Sequence, residues 1–364
     1  MKSSIGSAGF PAAWICISLL TALSANSQQP RDSGKVKMKI TRIRIDTQAS
    51  LRGLHVVNGS NIWASGSEGT VVHSGDGGKT WKLHRFPSQP PLEYRDIHGF
   101  SDGSAITLSA GSPALFYRKP STEGDWKLVF SDRHPGVFFD AVDFWDHSNG
   151  IAFSDPLEGN LLILQTDDGG RSWKRNQKAP AALKQEAGFA ASGTCITTRR
   201  GGKVWIGLGG KPLDGETGQA RVIRSTDGGR SFQAAETTLT RSESAGVFSL
   251  AFANDRIGVA VGGDYRQPAR AVDNCTLTRD GGKTWQKPKG SLPSGFRSCV
   301  AIGGEKNNIW LATGTNGTDI SFDAGDSWKR VSDEGFHAIA FIPGTDQGWA
   351  CGGTGKLARF SLLD

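Results

Sequence analysis

The 364-residue sequence lacks any segment that keeps an apolar period near 3.6 residues for three turns, as an amphipathic helix would. Tyrosine and methionine are scarce, with three and two residues, whereas glycine and tryptophan are abundant, with 49 and 11. An amphipathic helix needs the missing period, and a chain rich in glycine turns often between short strands. The composition therefore predicts an all-β protein with almost no helix.

Cysteine is also scarce, and its spacing contains neither a CxxC pair nor a Cys/His pattern typical of zinc sites, so we expect no metal site. Four of the five cysteines follow residue 27, and in an oxidising compartment these four permit two disulfides in three connectivities. However, Cys195, Cys299 and Cys351 each lie in a strand pattern of a different repeat, where a small buried apolar side chain is suitable. We therefore expect these three and Cys275 to be buried, unpaired thiols.

Several catalytic motifs are missing, including the serine-hydrolase and P-loop patterns. Glycine-rich runs do occur at residues 207–210 and 262–263. A dinucleotide-binding loop must open a helix whose N-terminus meets the pyrophosphate, but these runs end strands and enter hairpins. An oxidoreductase is therefore disfavoured, and we expect no cofactor.

One eight-residue pattern, SGDGGKTW at residues 74–81, returns along the chain as TDDGGRSW at 166–173, STDGGRSF at 225–232, TRDGGKTW at 278–285 and, in weaker form, SFDAGDSW at 321–328. Its Asp can accept backbone hydrogen bonds within a hairpin turn, and its glycines supply positive φ angles. A calcium loop would need further carboxylates at fixed spacing, which are absent. We therefore expect these aspartates to be structural: Asp76, Asp168, Asp227, Asp280 and Asp323.

The spacing of this pattern predicts the fold. Its closing aromatic residues, together with Trp126 in a remnant copy, lie 43 to 59 residues apart, which is about the length of a four-stranded propeller blade. The last unit, residues 336–363, lacks the turn and is one strand short. Residues 36–45 alternate apolar and polar side chains and can supply the missing outer strand. We predict a seven-bladed β-propeller of four-stranded blades whose last blade is closed by the N-terminal strand.

The first 27 residues have the pattern of a secretory signal peptide, with Lys2, an apolar run at residues 12–23 and small residues at 25–27. The run is shorter than the roughly 20 apolar residues of a membrane span, so we expect none. We predict that residues 28–364 form one propeller domain, a monomer located in the periplasm or secreted.

The net charge of +7 comes from basic residues that are scattered apart from a cluster at residues 35–44. Nucleic acid is therefore not an expected partner, whereas an anionic ligand or protein partner stays open.

The repeated pattern closely resembles the Asp box of bacterial-neuraminidase-type repeats. The whole arrangement, carried by SGDGGKTW, TDDGGRSW, STDGGRSF, TRDGGKTW and the closing N-terminal strand, resembles the photosystem II stability/assembly factor family of cyanobacteria and plastids. The resemblance covers essentially all of the chain after residue 27. It implies a binding scaffold that holds a partner protein during assembly, without implying photosynthesis here.

In a propeller, the inner strands start at the mouth of the central channel, beside the hairpins that join second and third strands. Aligning the repeats gives the following candidate binding residues: Arg52, Arg95, Asp140, Arg297 and His337 from the inner strands, and Asp155, Asp264, Tyr265 and Arg266 from the hairpins. Two interpretations stay open. The three arginines hold a carboxylate or the acidic tail of a partner, or they pair with Asp96, Asp140 and Asp264 and fill a watery channel. We expect His337 to be a hydrogen-bonding group rather than a base.

A sialidase is the alternative function, because it needs an arginine triad, a Tyr nucleophile backed by Glu, and an Asp acid/base. The residues that could take these roles are Arg52, Arg95, Arg297, Tyr265 and Asp155. The Arg-Ile-Pro motif of such enzymes is absent, and Tyr265 has no obvious Glu partner. A binding scaffold is therefore favoured over a glycosidase.

Overall fold

The computed structural model describes residues 36–86, 91–121, 124–213 and 218–363. The predicted signal peptide lies outside these residues. The described residues form seven antiparallel sheets and contain no helix. The innermost strand of each sheet contacts that of the next, and the last contacts the first, so the sheets are the blades of a closed ring. The predicted all-β, seven-bladed propeller is confirmed.

The strands follow the blades in chain order, after an N-terminal strand β1 (Lys37–Ile43). Blade one contains β2 (Leu51–Val56), β3 (Ile62–Gly66), β4 (Thr70–Ser74) and β5 (Lys82–Arg85). Blade two contains β6 (Glu93–Gly99), β7 (Ala105–Ala110), β8 (Ala114–Lys119) and β9 (Lys127–Asp132). Blade three contains β10 (Phe139–Phe144), β11 (Gly150–Leu157), β12 (Asn160–Thr166) and β13 (Lys174–Arg175).

Two short strands precede and interrupt blade four, β14 (Glu186–Ala187) and β17 (Gly209–Gly210), and both join the sheet of blade five. Blade four contains β15 (Ile196–Arg199), β16 (Lys203–Gly207), β18 (Gln219–Ser225) and β19 (Gln233–Thr240), and blade five contains β20 (Ala245–Phe252), β21 (Gly258–Asp264) and β22 (Cys275–Thr278). The fourth strand of blade five is reduced to a single bridge between Leu277 and Gln286.

The ring ends with blade six, formed by β23 (Cys299–Gly303), β24 (Ile309–Gly314), β25 (Gly317–Ser321) and β26 (Lys329–Ser332), and blade seven, formed by β27 (Ala338–Phe341), β28 (Gln347–Cys351), β29 (Leu357–Leu363) and β1. The pairing of β1 with β29 runs from Lys37 opposite Leu363 to Ile43 opposite Leu357. The apolar side chains of β1 pack on the core shared by blades six, seven and one. The predicted closure by the N-terminal strand is confirmed.

The repeated turns have the hydrogen bonds that their sequence predicts. In blade one, Asp76 accepts hydrogen bonds from the backbone N–H of Thr80 at 2.9 Å and from its hydroxyl at 2.6 Å. Asp168, Asp227 and Asp280 accept the same two bonds within their own turns, and Asp323 accepts the backbone bond alone. The Thr80 hydrogen bonds hold the pKa of Asp76 far below its usual range. The carboxylates of these aspartates are therefore committed to the hydrogen bonds of their own turns.

The second glycine of each turn has a packing role as well as a positive φ. A Cβ on Gly78, whose φ is +83°, would lie 2.1 Å from the ring of Trp349 in the preceding blade. A Cβ on Gly282 would lie 2.7 Å from Nε1 of Trp205, again in the preceding blade. The second glycine therefore lets the turn lie directly against its neighbour, which explains why it is present in all five copies of the pattern.

Most of the core lies between neighbouring blades, where the largest buried side chains include Trp63, Trp205, Trp310 and Trp349. The four cysteines of the propeller are also buried there, and all are free thiols, as predicted. Within the described part of the chain, no helix has the length and apolarity needed to cross a membrane.

The strand order defines two faces. The inner strands start on one face, together with the hairpins between second and third strands, and we call it the mouth face. The repeated turns lie on the opposite face with the hairpins between first and second strands, and we call it the turn face.

Candidate binding site at the channel mouth

Arg52 and His337 meet where blades seven and one join. Nδ1 of His337 donates a hydrogen bond to the backbone carbonyl of Leu51, with 3.0 Å between the two atoms. Burial, reinforced by the positive charge of Arg52, lowers the pKa of His337 to about 4. The imidazole is therefore neutral at pH 7 and acts as a hydrogen-bonding group, in agreement with the role expected from the sequence.

Arg52 and Arg95 are neighbours on blades one and two. Burial, with the nearby charge of Arg95, lowers the pKa of Arg52. The Nε atoms of both arginines are buried and find no hydrogen-bond partner among the described residues. Arg95 contacts the carboxylate of Glu93 at 3.4 Å and donates to the carbonyl of Ala190 at 3.2 Å. Two like charges thus share one half-exposed carboxylate, so the positive charge at the mouth is only partly compensated.

Asp140 lies close to Arg95 but is completely buried, and neither of its carboxyl oxygens makes a hydrogen bond to a described residue. Burial, with the neighbouring carboxyl of Asp155, raises the pKa of Asp140 well above its usual range, against a smaller opposing effect of Arg95. An unpaired carboxylate is costly to bury, so these surroundings favour the protonated form of Asp140. That form carries no charge with which to neutralise the arginines.

Asp155 lies in the hairpin between the second and third strands of blade three and packs close to Asp140. Its Oδ1 accepts a hydrogen bond from the backbone N–H of Gly188 at 2.7 Å. A Cβ on Gly188 would lie only 2.4 Å from Oδ2 of Asp140, so glycine is needed to cover that carboxyl. Burial raises the pKa of Asp155 to about 6. Arg52, Arg95, Asp140, Asp155 and His337 therefore form one cluster, which we call the mouth cluster.

Arg297 does not join this cluster as a free guanidinium. Its side chain is fully buried, and its Nε donates to Asp319 at 2.6 Å. Its other nitrogens donate to Phe296, Asn316 and Ser294. The expected convergence of three arginines is therefore reduced to two, because Arg297 is consumed by a structural ion pair. A sialidase-type triad lacks its third guanidinium for the same reason.

Asp264, Tyr265 and Arg266 occupy a separate hairpin on blade five. Asp264 accepts hydrogen bonds from the backbone N–H of Arg266 at 2.9 Å and from the amide of Gln267 at 3.2 Å. The Tyr265 ring is 45% exposed and meets the edges of Phe248 and Phe296. Among the described residues, these three do not contact the mouth cluster, so they form a separate aromatic surface.

The guanidinium of Arg266 lies 5.8 Å from the centre of the Tyr265 ring and contacts Glu243 at 3.3 Å. The Arg266 charge is thus already compensated on this hairpin.

The proposed pairing of the three arginines with Asp96, Asp140 and Asp264 is not observed. Asp96 instead accepts backbone hydrogen bonds from Ile97 and, across the blade interface, from Val142 at 2.8 Å. Two partners were missed from the sequence. Glu93 stands two residues before Arg95 on β6 and contacts it directly. Asp319 is a buried acid inside a strand, which requires a partner.

The sequence comparison gives a relative of known role. The photosystem II assembly protein Ycf48 of Synechococcus sp. (strain JA-2-3B'a(2-13)) is 24% identical over 287 residues, which cover 70% of this chain and 80% of that protein. The resemblance to the photosystem II assembly factors is confirmed. No protein-family model matches the chain.

The solved structures most informative here are of the same fold. A structure of YCF48 bound to D1 peptide superposes with a TM-score of 0.62 and 16% identity, covering 90% of this chain and 97% of that one. YCF48 from Cyanidioschyzon merolae superposes with a TM-score of 0.60 and 15% identity, covering 88% of this chain and 98% of that one. A structure of U3-55K superposes with a TM-score of 0.60 and 11% identity, and it covers the same shares of the two chains. At these identities the likeness concerns the fold, so the site itself must indicate the function.

Proposed function

We propose that this protein is an exported scaffold that binds an anionic segment of a partner protein at the mouth cluster. The observation that carries the proposal is the pair Arg52 and Arg95, which lie side by side and share the charge of one partly exposed carboxylate, Glu93. The similarity to a photosystem II assembly protein supports a role in holding a partner, and a propeller of similar fold has been solved with a peptide bound.

The chemistry of the mouth cluster favours a carboxylate. A guanidinium presents two parallel N–H groups that match a carboxylate, and a charge-assisted hydrogen bond is about twice as strong as a neutral one. Burial raises the pKa of the adjacent Asp140 and so disfavours its charged form, and Arg95 has only a half-exposed Glu93 as its ionic partner. An acidic side chain or chain terminus of the partner would relieve the repulsion between the two arginines.

Replacing Arg52 and Arg95 together with Ala is expected to weaken partner binding at least tenfold. Each charge-assisted contact contributes about 1.5–3 kcal/mol, and every 1.4 kcal/mol is about tenfold in affinity. A pull-down from the native cell envelope with the mature chain identifies the partner, and titration calorimetry then compares the variant with the parent. Equal affinities of the variant and the parent would show that the two arginines only line a solvated channel and do not bind the partner.

The matched control is Asp280→Ala in a repeated turn of the opposite face. This change removes the acceptor for the Thr284 N–H and hydroxyl, so it should lower the melting temperature while leaving the affinity unchanged. Loss of binding in the control as well would show that folding, rather than the mouth cluster, explains the result.

Export is supported by the signal-peptide pattern of residues 1–27, and the hydrogen bonds of the five turns support their assignment as Asp boxes. Processing should therefore begin the native chain between residues 25 and 28. Intact-mass measurement of the protein purified from its own cells tests this expectation. A mass that includes Met1 would show that the protein is not processed for export by cleavage.

A further inference from the structure

The turn face has a cavity of about 650 Å³ at the seam between blades three and four. Its walls are the repeated turns of both blades and the hairpins between their first and second strands. A second cavity of about 550 Å³ shares Trp145 and Arg200 with it. Small-molecule sites usually have volumes of about 300–1,000 Å³, so the first cavity alone is large enough for a ligand.

This seam is polar, whereas two of the other seams are aromatic at the same position. The second glycine of the blade-four turn, Gly229, faces Gln165 and Asn176, whereas Gly78 and Gly282 face tryptophans. The Gln165 amide donates to the carbonyl of Gly228 at 2.8 Å, and the Asn176 amide donates to that of Gly229 at 2.8 Å. These amides hold the two blades together without filling the space that an indole would occupy.

Trp145 forms an aromatic wall of the cavity. Its Nε1 donates to the backbone carbonyl of Lys203 at 2.7 Å, which fixes the half-buried ring between the two blades. The ring therefore offers a rigid apolar surface beside the polar seam.

Three arginines from three different segments line the cavity, namely Arg175 at the end of β13, Arg200 in the hairpin of blade four and Arg230 in its repeated turn. All three are exposed, and within the described part of the chain their guanidinium groups make no ion pair and no hydrogen bond. Lys174 is already paired with Asp167 at 3.7 Å. The arginines therefore supply positive charge and hydrogen-bond donors that the fold does not use.

The remaining carboxylates of the cavity serve their own turns. Asp146 accepts hydrogen bonds from the backbone N–H groups of Ser148 and Asn149, each at 2.8 Å. Asp227 accepts from the hydroxyl of Ser231 at 2.6 Å and from the hydroxyl of Ser225 at 2.7 Å, and these bonds lower its pKa to about 2. Because their oxygens are occupied, they reduce the local potential but do not hold the arginines.

We propose that this cavity binds a small molecule that carries at least two phosphate or carboxylate groups. The anionic groups contact Arg175, Arg200 and Arg230, and the apolar part of the ligand packs on Trp145. Two or more anionic groups are needed because the arginines come from separate segments, and one small anion would leave part of the charge unpaired. The site is independent of the proposed function because it lies on the face opposite the mouth cluster.

Titration calorimetry of the mature chain with inorganic pyrophosphate tests the proposal, with citrate and a hexaglutamate peptide in parallel. We expect saturable binding of pyrophosphate or citrate at one site per chain, weakened at least tenfold in the variant Arg200→Gln/Arg230→Gln. Pyrophosphate binding alone would identify phosphate as the recognised group, and citrate binding alone would identify carboxylate.

The charge-matched control is Arg133→Gln/Arg270→Gln, which removes two exposed arginines from the mouth face. It should bind the probe as the parent does. Equal weakening in both variants would overturn the proposal, because it would reveal only nonspecific attraction to net charge. Absence of saturable binding by pyrophosphate and citrate, or tighter binding of hexaglutamate than of either, would also overturn it.

Discussion

Deleting residues 36–45 is expected to lower the free energy of unfolding by roughly 3–6 kcal/mol, since a ladder of backbone hydrogen bonds and an apolar strand face are lost together. The ladder joins seven residue pairs of β1 and β29. Met38, Ile40 and Ile43 pack on the core shared by blades six, seven and one. The deletion also exposes β29 as an open edge, which favours aggregation. Urea unfolding monitored by tryptophan fluorescence measures the change.

A matched pair of point variants keeps this prediction testable if the deleted chain does not fold. Ile40→Lys places a charge on the core-facing side of β1, whereas Lys39→Ser changes the exposed side of the same strand. The first should lower the unfolding midpoint clearly, and the second should leave it nearly unchanged. Equal midpoints for the parent, the deletion and Ile40→Lys would contradict closure of the ring by this strand.

Breaking the Arg297–Asp319 ion pair should have an effect of similar size. Both side chains are almost completely excluded from solvent, at 0% and 1% exposure. Removing one partner of a buried pair leaves an uncompensated charge and typically costs about 3–5 kcal/mol. We therefore expect Arg297→Ala to shift the urea midpoint far more than it shifts affinity for a partner bound at the mouth cluster.

Two further variants separate the buried charge from the loss of packing. The double change Arg297→Met/Asp319→Leu should recover much of the stability, because an apolar pair of similar volume leaves no charge buried. Arg279→Met, which breaks an ion pair with Asp326 that is partly exposed, should cost at most about 1 kcal/mol. If Arg297→Ala is no more destabilising than Arg279→Met, the buried pair is not the structural element inferred here.

The propeller could be predicted because its signals are local and repeated. Each copy of the turn specifies its own hydrogen bonds, as the Asp76 turn shows, and the interval between copies sets the length of a blade. The alternating residues of β1 also carry their strand period in the sequence, so the closure could be inferred from the short last unit. The structure departs from the regular four-stranded blade where the sequence has no local signal for it. An example is the fourth strand of blade five, which is reduced to a single bridge.

The candidate site was predicted only in part. Aligning the repeats placed Arg52, Arg95 and His337 at the channel mouth, and the structure brings them into one cluster with Asp140 and Asp155. Equivalent alignment also selected Arg297, but position along an inner strand does not reveal whether a guanidinium reaches solvent. The missed partner, Asp319, lies 22 residues away on another strand of the same blade.

By itself, the sequence determined the strand and turn pattern, the number of blades and the closure of the ring, because hydrogen bonds within a turn and the two-residue period of a strand depend on neighbouring residues. Only the tertiary structure decided which charges are available. Arg297 is paired with a buried carboxylate, burial raises the pKa of Asp140, and the arginines beside Trp145 line a cavity between two blades. Desolvation and pairing depend on atoms that are distant in the chain, so these properties arise only when the blades pack together.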